Sequence, residues 1–202
     1  MKRYMKDKFE FYGIKTPLRK SLTKNFLKKH GNPSEQNLEK VVRDSWQFPE
    51  REFQYAGLDI LEQSVKKNFH CNVSLFEYLV TTKSWWDTVD WLATRIIGLY
   101  FQKNPELIQN HIPEWNESKN MWLNRVAILF QLKYKRDTDE TLLFNIIKSH
   151  SGSKEFFIQK AIGWALREYS KSFPEVVKDF VEENELAPLS KREALKVINR
   201  KK

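Results

Sequence analysis

Residues 85–101 read WWDTVDWLATRIIGLYF, an apolar stretch with a small residue, Ala93, near its middle and no strand-like alternation. Read as a helix, it has counterparts along the chain. Small residues sit inside apolar helical stretches at Ala56, Ala93, Ala127, Ala161 and Ala194, separated by 37, 34, 34 and 33 positions. A second series, Val42, Leu79, Ile112, Ile146 and Phe180, keeps step with it at spacings of 37, 33, 34 and 34. The first series marks the second helix of a unit and the second series marks its first helix. The expected helix pairs are 37–48 with 51–66, 74–82 with 85–101, 105–116 with 120–134, 139–149 with 154–170, and 174–184 with 190–200. A two-helix unit cannot bury its own apolar face, so such units stack.

The fold class expected is therefore all-α: a curved HEAT-like-repeat solenoid of antiparallel helix pairs, its concave groove lined by the second helices. A period near 34 also suits tetratricopeptide repeats, but their Trp-Leu-Gly-Tyr pattern is absent. The 202 residues fit one domain, 1–202, with basic N-terminal helices over 1–36 and about five repeats over 37–202. Four of the seven prolines fall where helices begin, at Pro17, Pro105, Pro174 and Pro188. Thr16 is expected to cap a helix from Pro17 to about His30, with Leu18, Leu22 and Phe26 on one side and Lys20, Lys24 and Lys28 on another.

Composition narrows the partners. Cys71 is the only cysteine, and His30, His70, His111 and His150 never fall at ligand spacing, so neither a disulfide nor a metal centre is expected. The chain carries no apolar run of signal-peptide or membrane-span length, and a soluble, cytoplasmic, monomeric protein is expected. The net charge of +9 is concentrated at the ends: residues 1–30 carry ten Lys/Arg against two Asp/Glu, and residues 191–202 carry six against one. Such asymmetry suits a polyanion, because neutralising phosphates releases counterions. Lysine-rich termini also serve as solubilising tails.

Chemistry is expected around Ser84-Trp85-Trp86-Asp87-Thr88-Val89-Asp90-Trp91. Ser84 and Asp87 have the spacing of a capping box, which gives Asp87 a structural task. Asp90 lies one helical turn beyond Trp86 and has no such task. It fits either a packed acid bonded to an arginine of a neighbouring repeat or a site that attracts a cation between an aromatic face and a negative charge. Arg125, 35 positions after Asp90, and Trp164, 39 after Arg125, fall one repeat apart and are expected to line the same groove. Trp46, Trp115 and Trp122 are expected in the core.

The segments 82–90 (TKSWWDTVD), 125–135 (RVAILFQLKYK), 154–164 (KEFFIQKAIGW) and 184–194 (NELAPLSKREA) closely resemble the AlkD-type DNA alkylation-repair glycosylases, a HEAT-like-repeat family. The resemblance extends over nearly the whole chain from Arg3 onward. It implies a monofunctional glycosylase acting on double-stranded DNA, without cofactor or metal, that releases cationic N3- or N7-alkylated purines. A location in the cytoplasm, associated with the nucleoid when bound to DNA, follows from that role. Carried over by motif, Asp90 is the catalytic carboxylate, Trp86 and Trp164 are aromatic walls of the cleft, Arg125 is a backbone-facing cation, and Tyr4 stands near the cleft. Lys20, Lys24 and Arg167 are assigned to the DNA backbone.

Family members usually carry further residues ahead of the position of Tyr4. The alternative expectation is accordingly a shortened paralogue that binds DNA weakly and lacks excision activity. A third, from a different class, is a helical scaffold holding a protein partner in its groove.

Overall fold

The computed structural model describes residues 1–200. Helix covers most of them, and Glu10 pairs with Glu50 in an isolated β-bridge. The chain divides into two compact units, Met1–Thr88 and Val89–Lys202.

The first unit opens with a 3-10 turn, Lys2–Met5, followed by α1 (Thr16–His30), α2 (Glu35–Gln47), α3 (Arg51–Lys66) and α4 (Val73–Thr81). Helix α5 (Trp86–Trp91) begins at its end. Helices α2 and α3 pack as a pair, with α1 against α3 and α4 against α2. The pairing is close because Gly57 of α3 faces Ser45, where a Cβ would overlap the serine hydroxyl. Val42, Trp46, Leu58, Leu61, Phe76 and Leu79 fill the core. Each side chain of this size removed from water contributes about 1.5–3 kcal/mol before entropy is counted.

The second unit continues α5 into a π-helical turn, Leu92–Ile97, and then α6 (Gly98–Lys103). It proceeds through a 3-10 turn (Pro105–Leu107), α7 (Ile108–Glu117), α8 (Met121–Leu129), a 3-10 turn (Lys135–Asp137), α9 (Glu140–Ser149) and α10 (Phe156–Tyr169). Helices α11 (Pro174–Glu183) and α12 (Pro188–Ala194) and a 3-10 turn, Ile198–Arg200, complete it. The second helices stack in repeat order: the π-turn against α8, α8 against α10, and α10 against α12. This is the helical-repeat packing expected of the 34-residue period. Leu79, Ile112, Ile146 and Phe180 of the first-helix series are buried, as are Ala93, Ala127, Ala161 and Ala194 of the small-residue series, while Ala56 is half-buried.

Side chains cap the starts of α4, α8 and α9. Asn72, Asn120 and Asp139 accept hydrogen bonds from the backbone N–H groups of Ser74, Trp122 and Leu142 at 3.0, 2.9 and 2.9 Å. Prolines stand in the first turn of α1, α11 and α12.

Several expectations change. Thr16 lies inside α1, which has no side-chain cap, rather than capping it. The expected helix over 85–101 is interrupted by the π-turn, and the one over 120–134 stops at Leu129. The last begins at Pro188, where the ring fixes φ for a first helical position, and ends at Ala194. Trp46 and Trp115 are buried, but Trp122 is only half-buried and packs its ring on Phe157 at 5.1 Å. On α1, Leu18, Leu22 and Phe26 are exposed, whereas Arg19 and Leu27 turn inward. Arg19 pairs there with Asp59 and lies over the Tyr55 ring. No helix among the described residues is long and apolar enough to cross a membrane.

Candidate functional site

The second unit brings Asp90 and Arg125 together. Arg125 Nε donates to one carboxylate oxygen of Asp90 at 2.7 Å and Nη2 to the other at 2.9 Å. Its remaining nitrogen, Nη1, donates to the backbone carbonyl of Phe157 at the start of α10. The guanidinium thus ties three successive second helices, and its planar fork suits the task as a lysine could not. The Arg125 side chain is 5 % exposed and that of Asp90 18 %, so the arginine is nearly enclosed and the acid keeps a small part of its surface accessible. Two short bonds anchor the surroundings: the Thr94 hydroxyl donates to the Asp90 carbonyl at 2.7 Å, and the buried Tyr134 hydroxyl donates to the Gly98 carbonyl at 2.7 Å.

An aromatic ledge adjoins Arg125. Phe157 packs on Trp122, Phe156 meets Phe157 edge-on at 5.4 Å, and Phe156 is 59 % exposed. Trp164 lies half-buried on α10, and Arg167, three residues on, is bonded to Glu193. Lys160 reaches the other oxygen of Glu193 at 3.1 Å, and its hydrogen bond is the largest influence holding that carboxyl below its ordinary range. The Arg167 cation is therefore engaged within the protein.

The first unit holds the other half of the quoted segment. Asp87 accepts from Arg51 through both oxygens, at 2.9 and 2.7 Å, and from the Tyr55 hydroxyl at 2.7 Å. Arg51 also donates to the Lys83 carbonyl and to Thr88, and its guanidinium stacks on Phe9 at 3.8 Å. Burial, then the Asp87 charge, pushes the Tyr55 phenol far above its ordinary value. Asp87 is structural, as expected, but by a different device from a capping box. Ser84 donates to the Val80 carbonyl, and the Asp87 carboxylate is taken by tertiary partners.

Tyr4 meets Trp86 edge-on, with ring centroids 5.7 Å apart, and is 74 % exposed; Lys8 stands over Trp85 at 4.7 Å. The segment between them and α1 is pinned by Glu52, which accepts the backbone N–H groups of Tyr12, Gly13 and Ile14 at 3.3, 2.9 and 3.1 Å. Gly13 there has φ of 87°, a conformation that favours glycine. Lys20 and Lys24 are exposed on α1. Sequence reasoning overlooked Arg51 and Tyr55, although Arg51 precedes Asp87 by 36 positions, the same one-repeat interval that singled out Arg125.

The family model for the DNA alkylation repair enzyme matches residues 1–198. Among solved structures the chain is similar to one described as "Predicted DNA alkylation repair enzyme from Enterococcus faecalis", with a TM-score of 0.89 and 36 % identity over 97 % of this chain and 92 % of that one. No curated protein matches. With the match spanning almost every residue, the chain belongs to the DNA alkylation repair enzyme family.

Proposed function

We propose that this protein is an AlkD-type, HEAT-like-repeat glycosylase that excises cationic N3- or N7-alkylated purines from double-stranded DNA, with Asp90 as its catalytic carboxylate. The observation that carries the reading is the asymmetry of the Asp90–Arg125 pair: an acid fixed through both oxygens by a nearly enclosed guanidinium, while its own side chain keeps 18 % exposure. A carboxylate held this way is preorganised and needs little rearrangement to meet a developing positive charge.

The chemistry suits one carboxylate. An N3- or N7-alkylated purine already carries a positive charge, so breaking its N-glycosidic bond lets the base leave neutral with the bonding pair, and no general acid is required. The deoxyribose becomes oxocarbenium-like. Asp90 stabilises that charge and orients a water whose oxygen bonds to the anomeric carbon, while the water's proton passes to the carboxylate and on to solvent. Indole faces of Trp86 and Trp164 attract the cationic nucleotide by about 0.5–2 kcal/mol each. Tyr4, edge-on to Trp86, extends the aromatic surface. Lys20 and Lys24 supply phosphate contacts, and Arg167 joins them by exchanging Glu193 for a phosphate.

The test is release of free base from duplex DNA containing 7-methylguanine, measured chromatographically with enzyme in excess. Release by the wild-type protein and its loss in Asp90→Asn are expected. No release above the Asp90→Asn background would overturn the proposal.

A further inference from the structure

The helix bearing Asp90 is not a regular helix. Its six residues Leu92–Ile97 form a π-turn, and Gly98 N–H reaches back five residues to the Ala93 carbonyl instead of four. Such a turn inserts one extra residue and shifts the rotational phase of everything after it by about 100°. Two contacts to the next repeat explain why that shift is needed. Asp90 bonds Arg125 of α8, and eight residues on, Gly98 packs against the end of the same helix, so closely that a Cβ would overlap the Phe130 carbonyl oxygen. In an unbroken α-helix, positions eight apart diverge by roughly 80°. One inserted residue reduces the divergence to roughly 20°, so both residues face α8.

The π-turn is held at both ends. Before it, the Thr94 hydroxyl bonds the Asp90 carbonyl at 2.7 Å. After it, the Tyr134 hydroxyl, 8 % exposed with its residue, bonds the Gly98 carbonyl at 2.7 Å. Tyr134 follows α8 and packs its ring edge-on against Phe130, so one residue both fills the space beside Gly98 and holds its carbonyl. A regular helix would separate these groups, and the Tyr134 hydroxyl would then be buried without this acceptor, which is unfavourable.

We propose that Gly98 and Tyr134 are positioning residues: they lock the π-turn, and the locked turn aims the Asp90 carboxylate at Arg125 while α6 keeps its own packing. The importance of this lock for base release rests on the function proposed above.

The experiment uses the full chain and two readouts. The first is the Nε–H resonance of Arg125, identified by its disappearance in Arg125→Lys. In Tyr134→Phe, which removes one hydroxyl and no ring, this resonance is expected to shift and to exchange with solvent about tenfold faster or more. A merely structural loss of stability would leave it in place in the folded protein. The second is single-turnover base release, expected to fall about tenfold or more with DNA affinity changed less than twofold, because misplacement of a reacting group acts on the chemical step. Should Tyr134→Phe not fold, Thr94→Val carries the same test at the other end of the turn, with Thr94→Ser retaining the wild-type resonance. An unchanged Arg125 resonance and exchange rate in the folded variant would overturn the proposal. Absence of base release by the wild-type protein would instead overturn the glycosylase reading and leave the resonance to decide the role of the turn.

Discussion

Asp90 and Arg125, 35 positions apart in sequence, meet through two parallel hydrogen bonds of 2.7 and 2.9 Å, and the third arm of the same guanidinium holds the Phe157 carbonyl. Lysine has one ammonium in place of this fork and cannot serve the three acceptors together. Arg125→Lys is expected to lower unfolding free energy by about 1–3 kcal/mol in urea titration. Base release should fall by more than the loss of folded protein accounts for. A variant with wild-type release would show that the aim of Asp90 does not depend on the fork.

The two acids of the quoted segment should separate cleanly. Arg51 is fully buried and Asp87 has 7 % exposure, so Asp87→Asn leaves a buried cation without its charge partner and is expected to cost about 3–5 kcal/mol. Per folded molecule, base release should persist. Asp90→Asn should abolish release even where the protein remains folded. Equal effects of the two substitutions on release would contradict this division.

Lys20 and Lys24 are exposed, whereas Arg167 is bonded to Glu193. Lys20→Ala and Lys24→Ala are each expected to reduce the slope of log affinity against log salt by about 1 for duplex DNA. Arg167→Ala should reduce it by less, since that cation must leave an internal partner to reach a phosphate. Fluorescence anisotropy across a salt series measures all three.

His150 bonds Asn116 at 2.9 Å through its Nε2, and burial lowers its pKa despite an opposing effect of Asn116. The folded state therefore binds this proton less readily than the unfolded state. Stability should fall as pH drops through the ordinary histidine range near 6.5 and level off below the lowered folded value. His150→Gln is expected to flatten this part of the curve. Thermal unfolding between about pH 5 and 7.5 would reveal it, and an identical profile in the variant would count against burial as the cause.

Much of the fold was readable because repeats impose a period on the sequence. The series through Val42 and through Ala93 marks positions that stacking must bury, and small residues recur where second helices approach closely. Arg125 was legible for the same reason, as a cation one repeat beyond Asp90. Its use was legible only in part: a bond from a neighbouring repeat's arginine to Asp90 was one of two readings of that acid, while the family resemblance implied that Arg125 faces the DNA backbone, and the structure turns it inward to Asp90 and Phe157. Ser84 and Asp87 illustrate a second limit. Their spacing matches a local cap, but a buried guanidinium from α3 offers the carboxylate stronger charge-assisted bonds than one amide could.

By itself the sequence determined the all-helical class, the repeat phase, the concentration of positive charge at the ends and the two acids around which chemistry was sought. These depend on residue type and spacing along one chain. Tertiary structure decided which acid is enclosed by Arg51 and Tyr55, which is bonded by Arg125, that Leu18, Leu22 and Phe26 face solvent, and that the Asp90 helix widens into a π-turn. Each of those depends on what a neighbouring helix presents at the same height. An ideal helix has only one phase, so the conflict between aiming Asp90 and seating Gly98 arises, and is resolved, only when α8 is beside them.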